Sequence, residues 1–121
     1  MASFLGSHTP IFEIRDHGGD FTDLLIRDSK LGAALAQTLG DHSVVLMRGH
    51  GATIVGDSLQ QAVFRAIYAA QNAALQSQAM RLGGTVNYLL EGEVNAATRS
   101  IDTFVNRAWE LWVRDASTLA D

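Results

Sequence analysis

The stretch Val44-Val45-Leu46-Met47-Arg48-Gly49-His50-Gly51-Ala52-Thr53-Ile54-Val55-Gly56 decides how this chain is read. An apolar run climbs to a histidine held between two glycines, and a second apolar run leaves it. Val44 to Met47 predicts a buried strand and Thr53 to Val55 a second one, which puts His50 on the connection between them. Flanking glycines remove side-chain bulk on both sides of the imidazole, so a metal or an anion can approach the backbone closely. His50 is a ligand or a bystander, and the chemistry turns on which.

Outward from this stretch, Asp57-Ser58-Leu59-Gln60 resembles a capping box, with an acidic cap and Gln three residues later. It opens a long helix from about Ser58 to Leu82, stopped by Gly83-Gly84. Its many alanines, Ala62, Ala66, Ala69, Ala70, Ala73, Ala74 and Ala79, predict a face fully covered by a neighbour. A last helix is expected from about Glu91 to Asp115. Val94, Ala97, Ile101, Val105, Ala108, Trp109 and Trp112 form its apolar stripe, and the tryptophans read as core or subunit interface rather than a ligand box.

Toward the N-terminus, Asp28 or Ser29 caps a helix that ends at Gly40, with Leu31, Ala34, Leu35 and Leu39 on one face. Ile11 to Arg15 alternates loosely and suggests a short strand. Asp16 to Asp20 reads as a loop, and Thr22 to Arg27 as a short apolar segment of no clear type. Strands mixed with helices give an α/β class, with few strands and long C-terminal helices. So small a sheet covers such helices poorly, which predicts either oligomerisation or a fold completed elsewhere.

The 121 residues suit one domain of ordinary size, with 47% hydrophobic content in the globular range. A formal net charge of −4 argues against a nucleic-acid surface. The absence of cysteine excludes disulfides, thiolate catalysis and cysteine-based zinc sites, and fits a cytoplasmic protein. No stretch approaches the roughly 18 apolar residues of a membrane span, and Met1 to Gly6 does not read as a signal peptide. Eight of the nine basic residues are arginine, whose planar fork suits carboxylates and phosphates.

The run Leu46 to Leu59, with its His50-Gly51 pair, closing glycine and helix start, resembles the class II aldolase/adducin family. Ala62-Val63-Phe64-Arg65-Ala66 is similar to the family's next helix, and Gly32, Ala34, Leu35, Ala36, Leu39 and Gly40 to the preceding one. Phe4-Leu5-Gly6, Pro10 to Asp16 and Arg107 to Trp112 look closest to metal-dependent decarboxylases of hydroxylated aromatic or heteroaromatic acids. The resemblance implies part of a three-layer α/β/α fold, usually in a tetramer. It also implies a divalent metal, zinc or manganese, that acts as a Lewis acid and stabilises an enolate-like intermediate.

Family enzymes are roughly twice this length and hold the metal with three histidines, two of them from an H-x-H motif in the first half. No H-x-H occurs here, and His8, His17 and His42 match no ligand position. The resemblance therefore implies one partial domain, residues 1–121, corresponding to the C-terminal half of such an enzyme. His50 alone carries over as a metal ligand, and no catalytic residue is assigned. Arg48 lies two positions before it. Along an extended strand the two would point the same way, so Arg48 is a candidate to bind a substrate carboxylate; the equal alternative is an ion pair within the sheet or at a subunit contact.

The expected function is a carbon–carbon lyase lineage, a decarboxylase of a hydroxylated aromatic acid or an aldolase, incomplete in this chain alone. The expected partners are further copies of the chain or a polypeptide carrying the first half, and a small-molecule acid. The alternative is a non-catalytic, adducin-like assembly module.

Overall fold

A computed structural model describes residues 2–118. Their contacts divide the chain into two compact units: His8–Ile54 forms one, and the residues on either side of it form the other.

The His8–Ile54 unit is built on a three-stranded sheet in the order β1-β2-β3. β1 (Ile11–Phe12) pairs parallel with β2 (Val44–Met47), and β2 pairs antiparallel with β3 (Gly51–Ile54). The apolar run at 44–47 forms the expected central strand, with Val44, Val45 and Met47 buried. β3 begins two residues earlier than its apolar content suggests, because Gly51 pairs with Met47 and closes a hairpin. β1 is shorter than expected. At Arg15 the chain enters one helical turn, α1 (Arg15–Gly18), where a loop was expected.

Helix α2 (Ser29–Leu39) forms where its signals place it. The Asp28 carboxylate accepts from the Leu31 N–H at 2.8 Å, satisfying one of the free amides of the first turn. Gly40 follows with φ +52°. The stripe Leu31, Ala34, Leu35 and Leu39 packs against a core of Phe12, Ile14 and Val45, together with Leu24 and Ile26. Alternation along the strands and helical spacing along α2 thus serve the same core.

The other unit is helical. α3 (Leu59–Arg81) is capped by Ser58, whose hydroxyl accepts from Gln61 N–H at 3.2 Å, while Gln61 Oε1 accepts from Asp57 N–H at 2.7 Å. The cap therefore lies one residue later than the expected Asp57 box. Gly56 is packed tightly before it: a Cβ there would meet Ala62 N at 2.7 Å.

The single helix expected over 91–115 is two, α4 (Glu91–Asp102) and α5 (Val105–Thr118). Thr103 Oγ1 donates to the Ser100 carbonyl at 2.7 Å, and Phe104 N–H bonds three residues back to Ile101. A hydroxyl competing for a helix carbonyl and a tightened last turn end the first segment. The apolar stripe survives the break. Val94 and Val105 are buried, and Ala97, Ile101, Ala108, Trp109 and Trp112 are half-buried. Trp112 lies 6.1 Å from Phe64 and 6.3 Å from Tyr68, ring to ring.

The alanine-rich face of α3 is not fully covered. Phe64 is the buried residue of this helix, and beyond Asn72 its described residues are exposed. A 3₁₀ turn, Ser3–Leu5, packs with α4, and the buried Ser3 hydroxyl accepts from Thr98 Oγ1 at 3.1 Å. No helix among the described residues is long and apolar enough to cross a membrane.

Candidate functional site at the His50 turn

β2 and β3 are joined by Arg48-Gly49-His50, closed by a His50 N–H bond to the Met47 carbonyl at 3.0 Å. The two glycines have opposite surroundings. Gly49 sits at φ +70°, and a Cβ there would meet Leu24 Cδ1 at 3.2 Å. Gly51, at φ +141°, would meet nothing within 4 Å. The turn is supported on one side and open on the other, and His50 itself is exposed.

The strand geometry that would aim Arg48 and His50 together is absent, because residues 48–50 form a turn rather than an extended segment. Arg48 remains tied to the sheet. Its N–H bonds to the Phe12 carbonyl at 3.2 Å, and its Nε lies 2.6 Å from Glu13 Oε2. Glu13 also accepts from the Arg15 backbone N–H, from Arg15 Nε and from Arg15 Nη2, at 3.0, 3.0 and 2.8 Å. The Arg15 guanidinium, and after it that of Arg48, hold the Glu13 carboxyl well below the usual carboxylate range.

His50 opens instead into a cleft of about 530 Å³, lined also by Leu25, Arg27, Leu35, Met47 and Thr53. Arg48 is not part of this lining. Arg27 was not singled out from the sequence, since it ends a segment with no periodicity. A usable signal was present nearby. Thr22 and Asp23 each accept from the N–H two residues on, Leu24 at 3.2 Å and Leu25 at 3.1 Å. Thr and Asp are residues that make such local turns.

The other three histidines have structural surroundings. His17 stacks on Phe12, with rings 5.5 Å apart and 7° from parallel. His8 meets His42 edge to face at 4.8 Å, and His42 Nδ1 lies 3.2 Å from the Leu39 carbonyl. Among the described residues no three His, Cys, Asp or Glu side chains are grouped to hold a metal ion. His50 offers one imidazole, and these residues do not by themselves fit a divalent-ion site.

The family described as the class II aldolase and adducin N-terminal domain matches residues 1–77. Decarboxylase tropJ of Talaromyces stipitatus is 37% identical over 138 aligned positions, covering 98% of this chain and 52% of that protein. The 3,4-dihydroxyphthalate decarboxylase of Arthrobacter keyseri is 37% identical over 71 positions, covering 59% of this chain and 29% of that enzyme. The enzyme of the same name from Rhodococcus jostii is 36% identical over 63 positions, 52% of this chain and 26% of its own length. The chain thus spans about half the length of the first relative and less of the other two.

Proposed function

From the premise that this chain belongs to the class II aldolase and adducin family, we propose that it is the C-terminal part of a carbon–carbon lyase. The reaction class is decarboxylation of a hydroxylated aromatic acid, with aldol cleavage the neighbouring possibility within the family. The supporting observation is the His50 turn: an exposed imidazole between an open glycine and a packed one, at the mouth of a mainly apolar cleft. His50 is assigned as one donor to a divalent ion, zinc or manganese. The remaining donors come from a polypeptide carrying the H-x-H half, or from a further copy of the chain.

Arg48 is the substrate-carboxylate candidate offered by its place beside His50. Its bond to Glu13 supports a second role, as a brace for the turn. The two roles separate experimentally. A brace lost in Arg48→Gln lowers stability with or without an acid present, whereas a binding group lost there weakens acid binding at unchanged stability.

The lone donor and the uncovered second half of α3 favour one other reading, a non-catalytic association module. Reconstitution decides between them. This chain, mixed with a polypeptide bearing the H-x-H half and supplied with zinc or manganese, is expected to release carbon dioxide from a hydroxylated aromatic acid such as 3,4-dihydroxyphthalate, the acid in the names of two relatives. His50→Ala abolishes that release. Association without turnover, indifferent to His50→Ala, would support the module and sink the lyase.

A further inference from the structure

We propose that Arg27 is a carboxylate receptor, and that the His50 cleft takes an aromatic acid with its ring against the apolar lining and its acid group on Arg27. This deepens the proposed function and rests on it for the identity of the site. Leu25, Ile26, Leu35, Met47 and Ala52 supply apolar wall, while Arg27 and His50 are the ionisable groups of the lining. No acidic side chain is among the lining residues. Asp23 pairs with Arg27 Nε from outside the lining, so selection for an anion rests on the guanidinium's remaining donors rather than on net charge.

Arg27 is held in a way that leaves its fork available. Its Nε donates to Asp23 Oδ2 at 2.6 Å. Among the described residues its two η nitrogens have no hydrogen-bond partner, and they form the end-on pair that grips a carboxylate through two parallel bonds. Asp23 is itself fixed. Its other oxygen accepts from the Leu25 N–H at 3.1 Å, and the Arg27 guanidinium, with that amide, lowers its pKa.

The backbone around this pair is held on three sides. Leu24 adopts φ +67°, a conformation that costs a non-glycine residue free energy and persists only where its surroundings impose it. Thr22 Oγ1 accepts from the Leu24 N–H, Leu24 Cδ1 lies against the Gly49 position, and Asp28 caps α2 directly after Arg27. The loop thus ties the Arg27 backbone to the His50 turn. An observed strained residue between two functional candidates is where strain most often serves positioning.

The test needs no metal and no partner polypeptide. Benzoate, its uncharged counterpart benzamide, and acetate are titrated into the chain, followed by NMR shifts of the His50 ring and the Arg27 Nε–H. The expected result is saturable benzoate binding at the cleft, with benzamide and acetate each at least about tenfold weaker, a factor ordinary for a charge-assisted bond. Arg27→Gln removes the preference for benzoate over benzamide, and Arg27→Lys keeps part of it. Circular dichroism of each variant confirms an unchanged fold. Three results would overturn the proposal: no saturable benzoate binding to the wild type, equal binding of benzoate and benzamide, or an undiminished benzoate preference in Arg27→Gln. None of these touches the role of His50 as a metal donor, which metal retention reads separately.

Discussion

Phe12 and Val45 of the sheet unit are 1% and 0% exposed, whereas the 23-residue helix α3 of the other unit buries Phe64 and leaves its second half open. Both units have well-formed local signals. Asp28 caps α2 and Ser58 caps α3 with the same type of bond. What separates them is tertiary burial: β2 is sandwiched between two strands and covered by α2, while residues 73–81 of α3 lie bare. Capping and alanine content suffice to write a helix but not to cover it. The finished core is also the one that carries the His50 turn, as expected where a rigid scaffold presents a functional loop.

The largest expected effect lies in that core. Phe12→Ala removes a side chain at 1% exposure and is expected to cost about 3–5 kcal/mol in urea denaturation. A loss below about 1 kcal/mol would show that the sheet unit is not the tight core described here.

Gly49→Ala comes next. It places a side chain at φ +70° against Leu24 Cδ1 and is expected to cost about 1–2 kcal/mol. The same change at Gly51 meets open space and strains the backbone alone. NMR shifts at Leu24 upon Gly49→Ala, and their absence upon Gly51→Ala, would sharpen the contrast between the two sides of the turn.

Glu13 gives a smaller, pH-dependent effect. Its carboxyl is held below the usual range by Arg15 and Arg48. The folded state gains from the ionised form above the ordinary carboxylate pKa and loses that gain as pH falls through the depressed value. Glu13→Gln should therefore be less stable than wild type at neutral pH, and the two should converge in strong acid. High salt should narrow the gap, since these groups are partly exposed. Parallel acid-unfolding curves at all pH values would remove the ion cluster from the account.

The smallest effect is expected where burial is least. Leu75, 63% exposed on α3, should tolerate Leu75→Gln within about 0.5 kcal/mol in the isolated chain. A large loss would mean that this face is covered in solution, and sedimentation at several concentrations would then show association.

Much of the fold was legible because local and tertiary signals agreed. Val44 to Met47 is apolar and central, and Asp28 and Gly40 mark the ends of α2 as their chemistry requires. Legibility failed where a single side chain decides the backbone. Thr103 ends α4 through one hydroxyl bond inside a stripe that continues across the break. Arg48 and His50 were read as strand neighbours, but the hairpin closes with Gly51 opposite Met47 and bends the residues between. Arg27 escaped notice because its place depends on Leu24 at positive φ, which no periodicity announces. Family likeness marked His50, while the cleft it opens into became visible only with the loop 22–28 in place.

The central claim, that His50 is one donor of a divalent-ion site completed outside this chain, is tested most directly by metal retention. Zinc and manganese per chain would be measured by elemental mass spectrometry after gel filtration, for this chain alone and for its mixture with a polypeptide bearing the H-x-H half. Little metal on the chain alone, stoichiometric metal on the mixture and its loss upon His50→Ala are the predicted results. Equal retention by wild type and His50→Ala in the mixture would contradict the claim and make His50 a bystander in its turn.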